Sequence, residues 1–352
     1  MILTLVAGIV VLSVLIIVHE LGHFIAAKAT GVWVEEFGIG FPPRLYGKKL
    51  GETIYSINWI PFGGFNKLSG EVDPKAPRAL AARGYGVRLL VLGGGILMNL
   101  ILPFILLSVA FMVPHDIVRG RVEVQEVAPG SPAEMAGIMA GDTILTINNN
   151  TVGSVGDLSR FVQLNLGKQV AIGVRHADGS TATVELVPRW RPPAGQGAIG
   201  VRSQTMDPVI VRETYPFWRA IPKGVANCFE TLLLYRNGIA GMIIGTIPFV
   251  PSGPVGIVQI TGEVAHSGVS PLLELTAFIS IAIGITQIIP FPALDGGRII
   301  FVLIEMFRRG KRVSPRIEGI VHSIGFVILL AFLVLITYQD IFRWATGGSL
   351  IP

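Results

Sequence analysis

The sequence predicts a polytopic α-helical membrane protein, with about four transmembrane helices and one small inserted α+β domain. Three observations carry this reading. Hydrophobic types make up 51% of the 352 residues and charged types only 14%, against about 25% charged in an average soluble domain. The mean hydropathy is +0.63. Four long stretches are nearly free of charge, and a hydrocarbon core of about 30 Å requires roughly 20 mostly apolar residues. This balance excludes a disordered chain and argues against an ordinary soluble enzyme. Cys228 is the one cysteine, which excludes an internal disulfide framework and a cysteine-rich zinc module.

Residues 1–27 make the first span. Positions 1–18 carry no charge, and the run continues past His19 and Glu20 through Ala27. A signal peptide is the competing reading; the basic n-region is missing and the apolar run is too long. Residues 28–88 form a loop with nine basic side chains: Lys28, Arg44, Lys48, Lys49, Lys67, Lys75, Arg78, Arg83 and Arg88. Residues 89–113 make the second span and 114–205 the inserted domain. In 206–270 an amphipathic helix around Phe217–Tyr235 suits the membrane surface, followed by a linker; a fifth crossing at 238–257 is the alternative. Residues 271–297 make the third span. Residues 298–316 are a basic loop in which Glu305 and Arg308, three apart, form a surface pair. Residues 317–340 make the fourth span, with His322 as an interfacial or packing residue. Both basic loops face the cytoplasm by the positive-inside rule, which puts 114–270 and both termini outside. The lipid bilayer is thus one partner, and no feature asks for nucleic acid.

Within the inserted domain, RVEVQEV alternates as a strand. A short helix ends at Gly137, a strand follows at 143–147, and a helix covers about Val155–Asn165. Val170–Arg175 and Thr181–Val187 make a hairpin around Asp178-Gly179. SPAEMAGIMAGDTILTINN resembles the core of a bacterial, circularly permuted PDZ domain. Such domains take an extended peptide as an added strand. The resemblance implies that a peptide C-terminus meets Ile199, Gly200 and Val201 on one side and Leu158 on the other. A closed groove acting as a size filter is the alternative.

His19-Glu20-Leu21-Gly22-His23 reads HExxH. Histidines at i and i+4 share one helix face, imidazole nitrogens suit Zn²⁺, and Glu20 stands beside them as a general base. In lipid, three such groups are costly unless coordinated or paired. A catalytic zinc takes three protein ligands, and Asp295 in Pro290-Phe291-Pro292-Ala293-Leu294-Asp295-Gly296-Gly297 is the best candidate for the third. Pro290 and Pro292 break the helix there.

Together HELGH and PFPALDGG resemble the site-2 protease family of intramembrane zinc metalloproteases, most of all its bacterial branch, over nearly the whole chain. The family carries Asn where this chain has Gln287. A GPxxN-like stretch appears as Gly95-Ile96-Leu97-Met98-Asn99, without the proline. GETIYSINWIPFGGF (51–65) resembles the family's membrane-associated β-hairpin loop, and its Tyr55, Ile57 and Trp59 share one face. The resemblance implies one Zn²⁺ held by His19, His23 and Asp295, with Glu20 catalytic. It implies substrate contacts at Gln287, Pro290, Pro292, Asn99, Tyr55 and Ile57. The substrates implied are single-span membrane proteins such as anti-sigma factors or remnant signal peptides, with an upstream protease that trims them. A bacterial cytoplasmic membrane is the implied location, with the PDZ domain outside and the active site toward the cytoplasm. A non-catalytic PDZ scaffold and a metal transporter are the rival functions.

Overall fold

A computed structural model of the chain describes residues 2–71, 73–248 and 250–346. It divides into two units, Met1–Ala110 with Pro251–Pro352, and Phe111–Val250.

Among the described residues, four helices are long and apolar enough to cross a membrane: α1 (Ile2–Ala29), α2 (Tyr85–Met112), α7 (Val269–Ile288) and α9 (Pro315–Ala345). On α1 the buried positions are Gly8, Val11, Leu12, Leu15, His19, Gly22, His23, Ala26 and Ala27. Their spacing of three and four makes one stripe along the helix, and both histidines fall on it. The opposite face leaves Leu5, Ile9, Val14 and Ile25 exposed, as lipid contact requires. By helical rise, the histidines lie about 9 and 15 Å from the C-terminal end of α1. α2 meets α1 backbone to backbone. A Cβ on Gly94 would lie 2.6 Å from the carbonyl oxygen of Gly22, and one on Gly22 would overlap that of Gly94.

The predicted hairpin at 51–65 is larger than expected. β1 (Val34–Leu50) and β2 (Thr53–Leu68) turn at Gly51-Glu52. The first half of β1 is paired on both sides: Ile39 meets Gly64 on one and Ile57 on the other. β2 therefore bends around it. Ser56 and Asn58 point inward, whereas Ile57 and Trp59 are exposed, a strand's alternation. Tyr55 packs its ring against Phe24, 6.0 Å between centroids.

Four expectations for the helical part are corrected. The linker contains a helix, α6 (Pro254–His266). It seats Val258 so close to α1 that a Cβ on Gly8 would lie 2.7 Å away. No described helix covers 238–257. The preceding helix, α5 (Phe217–Ile243), ends before Gly245, whose φ of +77° leaves the right-handed region. The segment 298–316 is largely helical as well: α8 (Asp295–Phe307) buries Val302 and Glu305. Glu305 is not a surface partner of Arg308. Its carboxylate takes Arg88 Nη1 at 2.5 Å and Arg312 Nε at 2.9 Å. Burial alone would raise its pKa, but the hydrogen bonds and charge of the two arginines win and hold it below the usual carboxylate range.

The second unit centres on a sheet of order β7-β6-β4-β3-β8, with β5 beside β4. The strands are β3 (His115–Val127), β4 (Thr143–Ile147), β5 (Asn150–Thr151), β6 (Val170–Arg175), β7 (Thr181–Leu186) and β8 (Val201–Glu213). β8 pairs with β3 as far as His115↔Glu213, so the domain runs beyond the expected boundary at 205. Two short helices, α3 (Pro132–Met135) and α4 (Val155–Leu164), are capped by Ser131 and Ser154, each accepting an N–H three residues on. Leu158 and Ile199, expected in a peptide groove, both belong to the core with Val122, Ile144 and Ile172. Val201 packs against that core, and Gly200 adopts φ +80° beside Ser131. α5 docks on α4 through Arg160–Glu230 at 2.6 Å. Burial pushes the Cys228 thiol on α5 up to about 11, so it stays protonated and inert.

Candidate metal centre

α1 contributes His19 and His23 from one face, one turn apart. Asp295 arrives from the far end of the chain by a broken helix. α7 stops at Ile288, and the segment containing Pro290 and Pro292 leads to α8, which begins at Asp295. Two features hold this loop. Ala293 takes φ +79°, a conformation uncommon for a residue with a Cβ, and its N–H donates to His322 Nδ1 at 3.1 Å. Gly297 lies where a Cβ would collide with the Phe291 carbonyl, so the glycines let the first turn of α8 nest against the loop. His322, read from the sequence as an interfacial or packing residue, thus accepts a backbone hydrogen bond from this loop.

The result is a triangle of donor atoms. His19 Nε2 and His23 Nε2 are 3.2 Å apart, and Asp295 Oδ2 lies 3.1 Å from the first and 3.2 Å from the second. These three residues form a cluster able to hold a metal ion. A tetrahedral ion with bonds of about 2.0 Å has ligand–ligand edges of about 3.3 Å, close to the edges seen. Asp295 Oδ2 is buried without a hydrogen-bond partner among the described residues. Three lone-pair donors facing one another are costly without a positive charge between them: a proton on one imidazole would pair it with Asp295, and a metal ion at the centre of the triangle would serve all three at once. Two imidazoles and a carboxylate are also a donor set that zinc accepts.

The other ring nitrogens fix the histidines. With both Nε2 atoms turned to the centre, Nδ1 carries the hydrogen. His23 Nδ1 donates to the Val91 carbonyl at 2.7 Å. The Asn99 carboxamide nitrogen lies 3.1 Å from His19 Nδ1 while its oxygen has no partner; turning the amide over, which leaves its shape unchanged, places the oxygen to accept the Nδ1 hydrogen and satisfies both groups. Asn99, fully buried, therefore stands behind His19 and does not line the cavity. Asn99→Leu is expected to weaken zinc affinity by about 10- to 100-fold, and Asn99→Asp, which keeps an acceptor, by less. Competition against a chromogenic chelator measures both.

A cavity of about 360 Å³ opens on the triangle, lined by His19, Glu20, His23, Gln287, Ala293, Asp295 and Arg298, together with Phe41, Gly64, Phe65, Asn66, Leu68 and Glu71 of the hairpin segment. Among the described residues, no hydrogen bond or ion pair engages Glu20. Gln287 Oε1 accepts the Asp295 N–H at 3.3 Å, so this side chain steadies the start of α8 at the cavity wall. Arg298 pairs with Glu71 at 2.7 Å. Pro290, Pro292, Tyr55 and Ile57 are not among the lining residues; Pro292 packs under Gly325 of α9. Sequence reasoning names Gly95 only as the start of the GPxxN-like stretch and gives it no role at the site, yet a Cβ there would lie 2.5 Å from His23 Nε2 and 2.6 Å from His19 Cε1. The run Gly93-Gly94-Gly95 in an apolar helix was the available signal.

Comparison with protein families matches residues 7–332 to peptidase family M50. Among curated proteins, a putative zinc metalloprotease of Clostridium perfringens is 35% identical over 332 residues, covering 94% of this chain and 96% of its own. One of Clostridium acetobutylicum is 34% identical, covering 96% and 97%. The zinc metalloprotease RasP of Oceanobacillus iheyensis is 27% identical, covering 97% and 99%.

Proposed function

Because the chain belongs to peptidase family M50, the site-2 protease family of zinc metalloproteases, we propose that it hydrolyses peptide bonds within or beside the membrane spans of single-span proteins. It is a zinc metalloprotease and zinc is its cofactor. One observation carries the intramembrane reading: the donor triangle and Glu20 share a cavity, with His19, Glu20 and His23 on α1, a helix apolar enough to cross a bilayer, and Asp295 just beyond the end of another, α7.

In this reading His19, His23 and Asp295 hold the ion, which when bound polarises the scissile carbonyl and acidifies water. Glu20 takes the proton of the attacking water and returns it to the leaving amine. A helical substrate hides its amides, so it must be extended locally before it is cut. Strand addition along Gly64–Leu68 of β2, which β1 pairs on one edge only, supports an extended substrate. Gln287 and the break after α7 supply the opposite wall. Anti-sigma factors and remnant signal peptides are the substrate type proposed, trimmed first by another protease. Loop charge supports a bacterial cytoplasmic membrane, with the basic segments 28–88 and 298–316 inside. The domain containing Ser131–Asn149 is proposed to be a PDZ domain outside. With Leu158 and Ile199 in its core, a role as size filter suits it better than an open groove.

The test is to incubate the detergent-purified chain with single-span peptides, with and without a chelator, and to map products by mass. Cuts inside or next to the span, lost on chelation and restored by zinc, are expected. Cuts confined to soluble tails, or none, would overturn the proposal.

A further inference from the structure

Among the described residues, no hydrogen bond engages the side chain of Asn66. Both its Nδ2 and its Oδ1 are buried and lack a hydrogen-bond partner among the described residues. Buried amides of this kind are rare in folded proteins, and each one asks for an explanation. Asn66 sits in the stretch Gly64–Leu68, paired with β1 through Phe37↔Asn66, and no described strand pairs with its other edge. Gly64, Asn66 and Leu68 alternate onto one face of the strand. All three line the cavity that holds His19, Glu20, His23 and Asp295. The cavity lining mixes apolar residues such as Leu15, Ile16 and Leu92 with the polar groups of the site, yet none of the described residues satisfies the Asn66 amide.

We propose that Asn66 is a specificity-determining residue whose carboxamide hydrogen-bonds an uncharged polar side chain of the extended substrate, at the position lying across from it. The inference rests on the proteolytic reading above and deepens it. A strand added to the free edge of Gly64–Leu68 pairs main chain with main chain in the plane of the sheet. Side chains stand out of that plane and meet their cross-strand neighbours. The partner of Asn66 is therefore a substrate side chain. A carboxamide offers one donor group and one acceptor. A carboxylate could use only the donor and an ammonium only the acceptor, whereas Ser, Thr, Asn and Gln can use both. An apolar side chain at that position would leave both atoms unpaired in the closed complex, the situation in which sites built to hydrogen-bond discriminate most strongly.

The experiment is a set of single-span peptides in which Leu, Asn, Gln and Ser are placed in turn at each position flanking the cut. Each is assayed for kcat/KM with the parent enzyme, Asn66→Leu and Asn66→Ser. The parent is expected to favour the polar side chains at one position by about tenfold or more. Asn66→Leu is expected to bring that ratio near one at that position alone, with zinc content unchanged; Asn66→Ser, which keeps a hydroxyl, should retain part of it. An unchanged profile in Asn66→Leu would overturn the inference, and so would an equal loss for every peptide, which would mean a main-chain contact. If Asn66→Leu fails to hold zinc, the Asn66→Ser profile decides on the same criteria. Failure of the parent to cut any peptide would remove the proteolytic reading and this one together.

Discussion

Glu20→Gln is expected to lower peptide hydrolysis by about a thousandfold while leaving one zinc bound per chain; general-base catalysis contributes about 10²- to 10⁴-fold. The substitution replaces one oxygen by an NH₂ of nearly the same size, so the cavity keeps its shape. What it loses is the ability to accept a proton. Among the described residues no hydrogen bond or ion pair engages the Glu20 carboxylate, so neither the α1–α2 packing nor the hairpin depends on it. The donor atoms of the triangle belong to His19, His23 and Asp295, so the metal should stay. Turnover of a single-span peptide and metal analysis on the same preparation check both halves. Retained turnover would remove Glu20 from the chemistry. Lost zinc would make it part of the metal-holding set.

What the sequence discloses about this site is local or motif-borne, and what it conceals is long-range. His19 and His23 share a face because four residues make about one helical turn, which spacing alone reveals. Asp295 follows an apolar run and two prolines in a motif that a reader can pair with HELGH. The partner of Glu305 is another matter. The neighbour three positions on, Arg308, is the natural guess from a helix surface, yet Arg88, 217 positions away, takes the carboxylate. α6 escapes notice because 13 residues are too few for a span and prolines stand at 251 and 254. The first strand of the hairpin escapes because Val34–Leu50 mixes glycines, prolines and basic residues and lacks a clean alternation. Its pairing on both edges is decided by contacts across the sheet.

Gly95→Ala is expected to cost zinc at least tenfold in affinity, and activity with it, while the protein stays folded. The added carbon would lie 2.5 Å from His23 Nε2, 2.6 Å from His19 Cε1 and 2.7 Å from His19 Nε2, well inside the roughly 3.5 Å at which carbon packs comfortably. Neither ring has room to retreat. His23 is tied through Nδ1 to the Val91 carbonyl and His19 is held at Asn99. The helices cannot part cheaply, because α1 and α2 already touch backbone to backbone at Gly22 and Gly94. The methyl group is therefore accommodated by swinging one or both imidazoles, which takes their Nε2 atoms off the triangle. The sign makes the test sharp. Elsewhere in a helix, alanine is favoured over glycine by about 1 kcal/mol. Gly93→Ala provides the control two residues away, since a Cβ there meets nothing within 4 Å; it should bind zinc as the parent does and melt no lower. Chelator competition, with circular dichroism to verify helicity, separates the two variants. Equal zinc affinity in both would mean that the imidazoles do not stand against Gly95, and the donor triangle as described would have to be abandoned.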